Sequence, residues 1–456
     1  MTVREISPLD GRYREQLSEL PDVFSEFALM RERCRVELDY LEALDSTGLF
    51  APLTADERER IEWVREGFDD DAFARIKEIE AETNHDVKAC EILLRERLGL
   101  ANPNLLHFGL TSEDVNNLAY GRLLDRYRTK IQLPQMHQLI SLLADLSDRW
   151  SSAVFPARTH GQPASPTTFG KELAVFLSRL LRQAETLEAF RFRGKLAGAT
   201  GTHAACFVSF PAYDWRGFSK QFVESLGLLP NPCTTQIEDH DTLAEYFAIV
   251  SRINGIVVDL DTDLWLYISH GYILQKAVAG EVGSSTMPHK VNPIRFENSE
   301  GNITIANALL FAMAEKLTRS RMQRDLSDMT VRRNIGVALA HGYLAIEQTM
   351  KGLARIDLNH GVLRAVVANT PEVLAEAYQT VLRAAGVENP YELLRNLTRG
   401  ETVALENLHA WIDRLGVPGD VAERLKSLRP VEYIGLAPEI CMDVVDRARA
   451  WLDGSV

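Results

Sequence analysis

Between residues 167 and 193 the apolar side chains Phe169, Leu173, Phe176, Leu177, Leu180 and Leu181 recur at intervals of three and four. That spacing marks one face of a single helix about 40 Å long, at ~1.5 Å per residue. Comparable stripes over 238–275 and 294–318 predict two more long helices, while β-type alternation is scarce. Long amphipathic helices gain most of their stability from packing, so they need partners along their whole length. The chain therefore reads as all-α, with an elongated central helix bundle through which copies can also associate.

The flanks differ in character. Up to residue 110 the pattern predicts shorter helices, at 56–66 and 71–96, the second interrupted by the polar cluster Thr83-Asn84-His85-Asp86. A new helix is predicted at Thr111, which can act as N-cap with Asp114 three residues on, in the manner of a capping box. Beyond residue 360 short apolar stripes are punctuated by Gly386, Pro390, Gly400, Pro418 and Pro430. Three helical domains follow: 1–110, 111–359 with the long bundle, and 360–456.

The formal charge of -14 argues against nucleic acid as a partner, because phosphate neutralisation needs a basic face. The N-terminal MTVREISPLDGRY lacks the apolar core of a leader, and no run of about 18 apolar residues could span a bilayer. A cytoplasmic protein with no membrane partner is expected. Five cysteines, odd in number and never in a C-x-x-C pair, predict neither a disulfide framework nor a zinc site.

Residues 279–293, AGEVGSSTMPHKVNP, place polar and flexible residues between two strongly helical stretches. The ordinary alternative is a helix-to-helix connection in which Gly283 ends one element and Pro293 sits at N1 of the next. About fifteen residues is more than such a connection needs, which favours a functional loop. Ser284 or Ser285 is then a candidate for proton transfer. Lys290 and Asn292 precede a helix whose free N–H groups favour an anion. Five further segments carry chemistry-bearing residues: Arg12-Tyr13, the cluster at 83–86, TSED at 111–114, RTHGQPASPTTFG at 158–170 with His160, and TQIE at 235–238 with Gln236. A sixth, SRMQRDLSDMTVRRN, supplies Arg324 and Arg333, whose guanidinium forks suit carboxylate and phosphate.

GSSTMPHKVNP resembles the G-S-S-x-M-P-x-K-x-N-P signature of the fumarase/aspartase superfamily. The remaining segments are similar to the adenylosuccinate lyase branch, from SPLDGRY near residue 7 to TPEVLAEAYQTVLRAAGVENPYELL in the C-terminal third. The resemblance implies a homotetramer whose active sites are each built from three subunits. It implies β-elimination of fumarate from adenylosuccinate and SAICAR, with no metal and no cofactor. Ser284 would be the general base and His160 the general acid. Arg12, Tyr13, Asn84, His85, Asp86, Thr111, Ser112, Gln236, Lys290, Asn292, Arg324 and Arg333 would bind substrate. His85 is the rival base, and argininosuccinate lyase the rival activity. One position departs from the branch: Met329 stands where relatives usually carry serine, and a thioether has no hydroxyl to donate.

Overall fold

The computed structural model describes residues 4–276, 286–287, 289–398 and 404–454. Ser284 and Ser285 lie outside the described residues. The fold is all-α as expected, with four two-stranded pairings of two or three residues each among the described residues. The three long stripes form helices Phe169–Ala189, Asp241–Ser269 and Ile294–Leu317. The second ends six residues before its stripe does, where 273–275 pair with 356–358 as a strand. The first also stops short, for a visible reason. Buried Arg128 donates to the carbonyls of Leu187 and Glu188 at 2.9 and 3.1 Å, closing the helix end, and residues 193–194 leave to pair in parallel with 229–230.

Backbone contacts divide the chain into two compact units: Met1–Gln135, Gln183–Gly255 and Gly301–Ala345 in one, Met136–Arg182, Ile256–Glu300 and Ile346–Val456 in the other. In the first unit, helices Glu26–Asp45, Ala55–Glu66, Asp70–Thr83 and Asp86–Leu98 close over an apolar cluster that includes Leu38, Leu41, Ile61, Ile76, Leu93 and Leu94. Each begins on a capping side chain. Ser25 accepts from the Ala28 N–H, Thr54 and Glu57 form a reciprocal capping box, and Asp69 accepts from the Ala72 N–H.

The stripe at 71–96 is two helices rather than one. Asn84 turns left-handed at φ 53° and closes the first, and extended His85 opens the second by accepting the Lys88 N–H on Nδ1 at 3.2 Å. Asparagine and histidine are among the few non-glycine residues that tolerate that arrangement, so the polar cluster is where the chain turns.

The second unit carries a hairpin in which Arg158–Thr159 pairs with Gln162–Pro163. Its two-residue turn is His160-Gly161, both left-handed at φ 53° and 74°, the backbone of a type I′ turn. A separate apolar cluster, with Leu374, Tyr378, Leu382, Leu408, Ile412 and Leu425, gathers the short C-terminal helices. Deep in this unit Asp261, 2% exposed, accepts the Thr349 hydroxyl at 3.0 and 2.9 Å beside Ser299. The cysteines are unpaired and all but Cys233 are buried. Among the described residues no helix is long and apolar enough to cross a membrane.

Candidate active site

A cavity of about 680 Å³ in the first unit is lined by residues from widely separated stretches of sequence. Asn84, His85 and Asp86 enter from the break between two helices, and Thr111 and Ser112 from the start of helix Ser112–Tyr127. Gln236 enters from the segment before Asp241, and Arg324 and Arg333 from the turn and helix around Ser327–Arg332. Eight of the residues expected to bind substrate thus share one wall. Arg12 and Tyr13 belong to the same unit, on a short turn, and do not line this cavity. His160, Lys290 and Asn292 belong to the other unit. There His160 is exposed at the hairpin tip, and exposed Lys290 stands four residues before Ile294, with Asn292 between. That helix starts at Ile294, and Pro293 precedes it with its carbonyl accepting from Phe296, so proline is not its first residue.

His85 has a defined tautomer. Because Nδ1 accepts a backbone N–H, the neutral ring carries its hydrogen on Nε2, which faces the Ser112 hydroxyl at 3.4 Å. A ring so held offers the cavity a donor. The Ser112–Tyr127 helix adds the free N–H groups of its first turn, a natural seat for a carboxylate or phosphate. The next residue, Asp86, is ion-paired with buried Arg33 at 3.0 Å and with Arg333 at 3.8 Å. Burial alone would raise its pKa, but Arg33 and the Val87 N–H outweigh that and hold the carboxyl below its ordinary range.

Beneath the wall lies a buried ion network that the sequence did not disclose. Glu113, 1% exposed, meets Arg332 at 2.9 Å on both oxygens and Arg324 at 3.1 Å. Arg332 also meets Asp328 at 2.8 Å, and lies over the Tyr120 ring at 5.1 Å from its centroid. His240 sits 3.5 Å from Asp328 and 3.8 Å from Glu238. Burial opposes charge on Asp328, yet the nearby His240 ring and the guanidinium groups of Arg332 and Arg324 bring its carboxyl down to about 2. Burial likewise opposes protonation of His240, and its two carboxylate neighbours reverse the sign and raise its pKa. Glu113, His240 and Asp328 have donor atoms within 4.8 Å of one another, close enough to hold a cation. Both carboxylates already face arginine, so the charge of the trio is balanced without a metal.

Met329 lines the cavity, and its sulfur accepts from Arg332 Nη2 at 2.8 Å. The sequence singled out Arg333 but missed its neighbour Arg332. The available signal was the four-residue spacing from Asp328 to Arg332, which pairs them on one helix face. Nothing local marked Glu113 as their partner, 219 positions away.

Residues 11–308 match a protein family described as lyase, and residues 320–434 match one described as the adenylosuccinate lyase C-terminal region. Adenylosuccinate lyase of Haemophilus influenzae is 44% identical over 447 residues, 96% of this chain and 98% of that one. The Escherichia coli K12 enzyme of that name is 44% identical over 440 residues, 95% of this chain and 96% of that one. Among solved structures, a fumarate lyase from Mesorhizobium sp. BNC1 superposes with a TM-score of 0.77 at 19% identity, covering 94% of this chain and 97% of that one. A 3-carboxy-cis,cis-muconate lactonizing enzyme from Pseudomonas putida does so at 0.75 with 20% identity, covering 95% and 97%. At those identities the two structures speak to the fold alone.

Proposed function

The chain belongs to the adenylosuccinate lyase family, and from that premise we propose that it removes fumarate from adenylosuccinate, leaving AMP, and from SAICAR, leaving AICAR. It is a carbon–nitrogen lyase of purine nucleotide biosynthesis. The observation that carries the reading is the convergence of Asn84, His85, Asp86, Thr111, Ser112, Gln236, Arg324 and Arg333 on one cavity.

Elimination begins with loss of a weakly acidic C–H proton beside a carboxylate, so negative charge spreads into that carboxylate. Fixed donors facing it stabilise the transition state, each worth about 3 kcal/mol. Ser112, the His85 Nε2–H and the two arginines are donors of the required kind, and Lys290, Asn292, Arg12 and Tyr13 are assigned to the remaining anionic groups. Ser284 takes the proton and His160 protonates the leaving nitrogen, which histidine can do near neutral pH. These transfers call for no metal and no cofactor. The tautomer of His85 speaks for it as a binding group rather than the base, since its cavity-facing nitrogen already carries hydrogen.

The working form is assigned as a homotetramer with shared active sites, His160 and Ser284 arriving from different subunits, and the cytoplasm as its location. The domain division at 110 and 360 stays part of this reading. It is supported by one apolar cluster confined to residues 30–106 and another confined to 374–433.

Ultraviolet assays of adenylosuccinate cleavage test the assignment. Ser284→Ala is expected to abolish turnover while His85→Asn, which keeps a capping side chain, retains some. The reverse result would make His85 the base, and cleavage of argininosuccinate instead would replace the substrate. Mixing inactive His160→Ala and Ser284→Ala proteins should restore part of the activity, and no recovery would refute shared sites.

A further inference from the structure

Behind the cavity wall sits a second ion pair that no part of the elimination uses. Asp114 and Lys195 are both fully buried, and Lys195 Nζ lies 2.8 Å from Asp114 Oδ1. Neither residue lines the cavity. Their other partners are all backbone. Asp114 accepts the Thr111 N–H at 2.8 Å, the Ala197 N–H at 2.9 Å and the Gly198 N–H at 3.1 Å. Lys195 Nζ donates to the carbonyls of Gly198 and Gln236, each at 2.7 Å. Asn117 grips the Lys195 backbone on both sides, accepting its N–H at 2.7 Å and donating to its carbonyl at 2.9 Å. The loop after Lys195 then accepts the Gln236 side-chain amide on the Ala199 carbonyl at 3.1 Å.

We propose that Asp114 and Lys195 are positioning residues that set the register between two substrate-binding segments, Thr111-Ser112 and Gln236. A pair buried this deeply gains little net stability over apolar side chains of similar volume, because desolvation cancels most of the attraction. What it supplies is geometry. One carboxylate fixes the start of the Ser112–Tyr127 helix and the 197–198 backbone, and the ammonium fixes the Gln236 carbonyl against the same loop. Gly198 is left-handed at φ 77° and presents its N–H to the acid and its carbonyl to the amine, so the loop is bound on both sides of one residue. Removing the pair lets Gln236 and the Ser112 hydroxyl drift apart by fractions of an ångström, enough to weaken binding without touching the proton-transfer groups. The proposal rests on the function assigned above.

The test separates geometry from folding. Lys195→Met leaves the buried Asp114 carboxylate without its cation, and is expected to lower Tm and raise KM for adenylosuccinate at least tenfold. The double variant Asp114→Asn, Lys195→Met removes the stranded charge. It is expected to recover most of the Tm while KM stays at least tenfold high and kcat stays within about threefold of wild type. Recovery of KM together with Tm would show that the pair serves stability only, and failure of both variants to fold would overturn the proposal in the same way. Hydrogen exchange at the amides of Thr111, Ala197, Gly198 and Gln236 reads the positioning without catalysis. Faster exchange there in the folded double variant, in a protein whose wild type does not cleave adenylosuccinate, would uphold the positioning and sink the lyase assignment. Unchanged exchange in an active enzyme would do the opposite.

Discussion

Asp261 makes the stability of the second unit depend on pH in a direction opposite to most carboxylates. Burial pushes its carboxyl up to about 8, and the hydroxyls of Ser299 and Thr349 offset only part of that. An unfolded aspartate titrates near 3.9. Between those values the folded protein holds a proton that the unfolded chain has released, so the contribution is full below about pH 4 and drains away as pH rises to about 8. Inside that window each pH unit costs about 1.4 kcal/mol, hence about 2.7 kcal/mol between roughly pH 5.5 and roughly pH 7.5. Asp261→Asn keeps the shape and an acceptor for Thr349 but cannot ionise. The urea midpoints of wild type and variant, measured at equal protein concentration at both pH values, should therefore diverge, the variant gaining 2 to 3 kcal/mol (roughly) on the wild type at the higher pH. Parallel pH dependence would mean that Asp261 is ionised in the fold and that its surroundings are more polar than two hydroxyls.

Two further substitutions probe the buried network. Glu113→Gln leaves Arg324 and Arg332 facing a neutral amide, and should cost about 3–5 kcal/mol, less what Asp328 retains on Arg332, with KM for adenylosuccinate rising as Arg324 swings free. A thermal melt and a KM within error of wild type would show the network to be inert. Met329→Ser gives up one sulfur contact to Arg332, whose carboxylate partners stay, so stability should shift by ~1 kcal/mol or less while the new hydroxyl lowers KM several-fold. An unchanged or higher KM would show that substrate does not reach position 329.

The helices were legible because their cause is local. An apolar stripe is written in consecutive residues, and 294–318 was displaced by a single position at its end. Ends fixed from a distance were not legible: the 167–193 stripe stops at Ala189 under Arg128, a side chain 59 positions before the Leu187 carbonyl that it holds. The cluster at 83–86 shows the middle case, since its oddness was plain in the sequence, while its meaning, two capped helix ends back to back, needed the backbone angles. The site divides along the same line. Residues that would face substrate stood out as polar types in short motifs. Glu113, His240, Asp328 and Lys195, which hold those residues in place, are ordinary side chains in sequence, and each has a partner tens to hundreds of positions away.

The hairpin that carries His160 illustrates a different kind of constraint. A type I′ turn of two left-handed residues is best filled by asparagine followed by glycine, and this chain has the glycine, Gly161, but puts an imidazole where the asparagine would go. On the role proposed for His160, an asparagine there would be the better turn former and no acid. If that role holds, stability and activity want different side chains at this one position. Selection for thermal robustness alone, acting on this protein in the laboratory, would be drawn to that position, and under the proposed role the protein it yielded would be sturdier and silent.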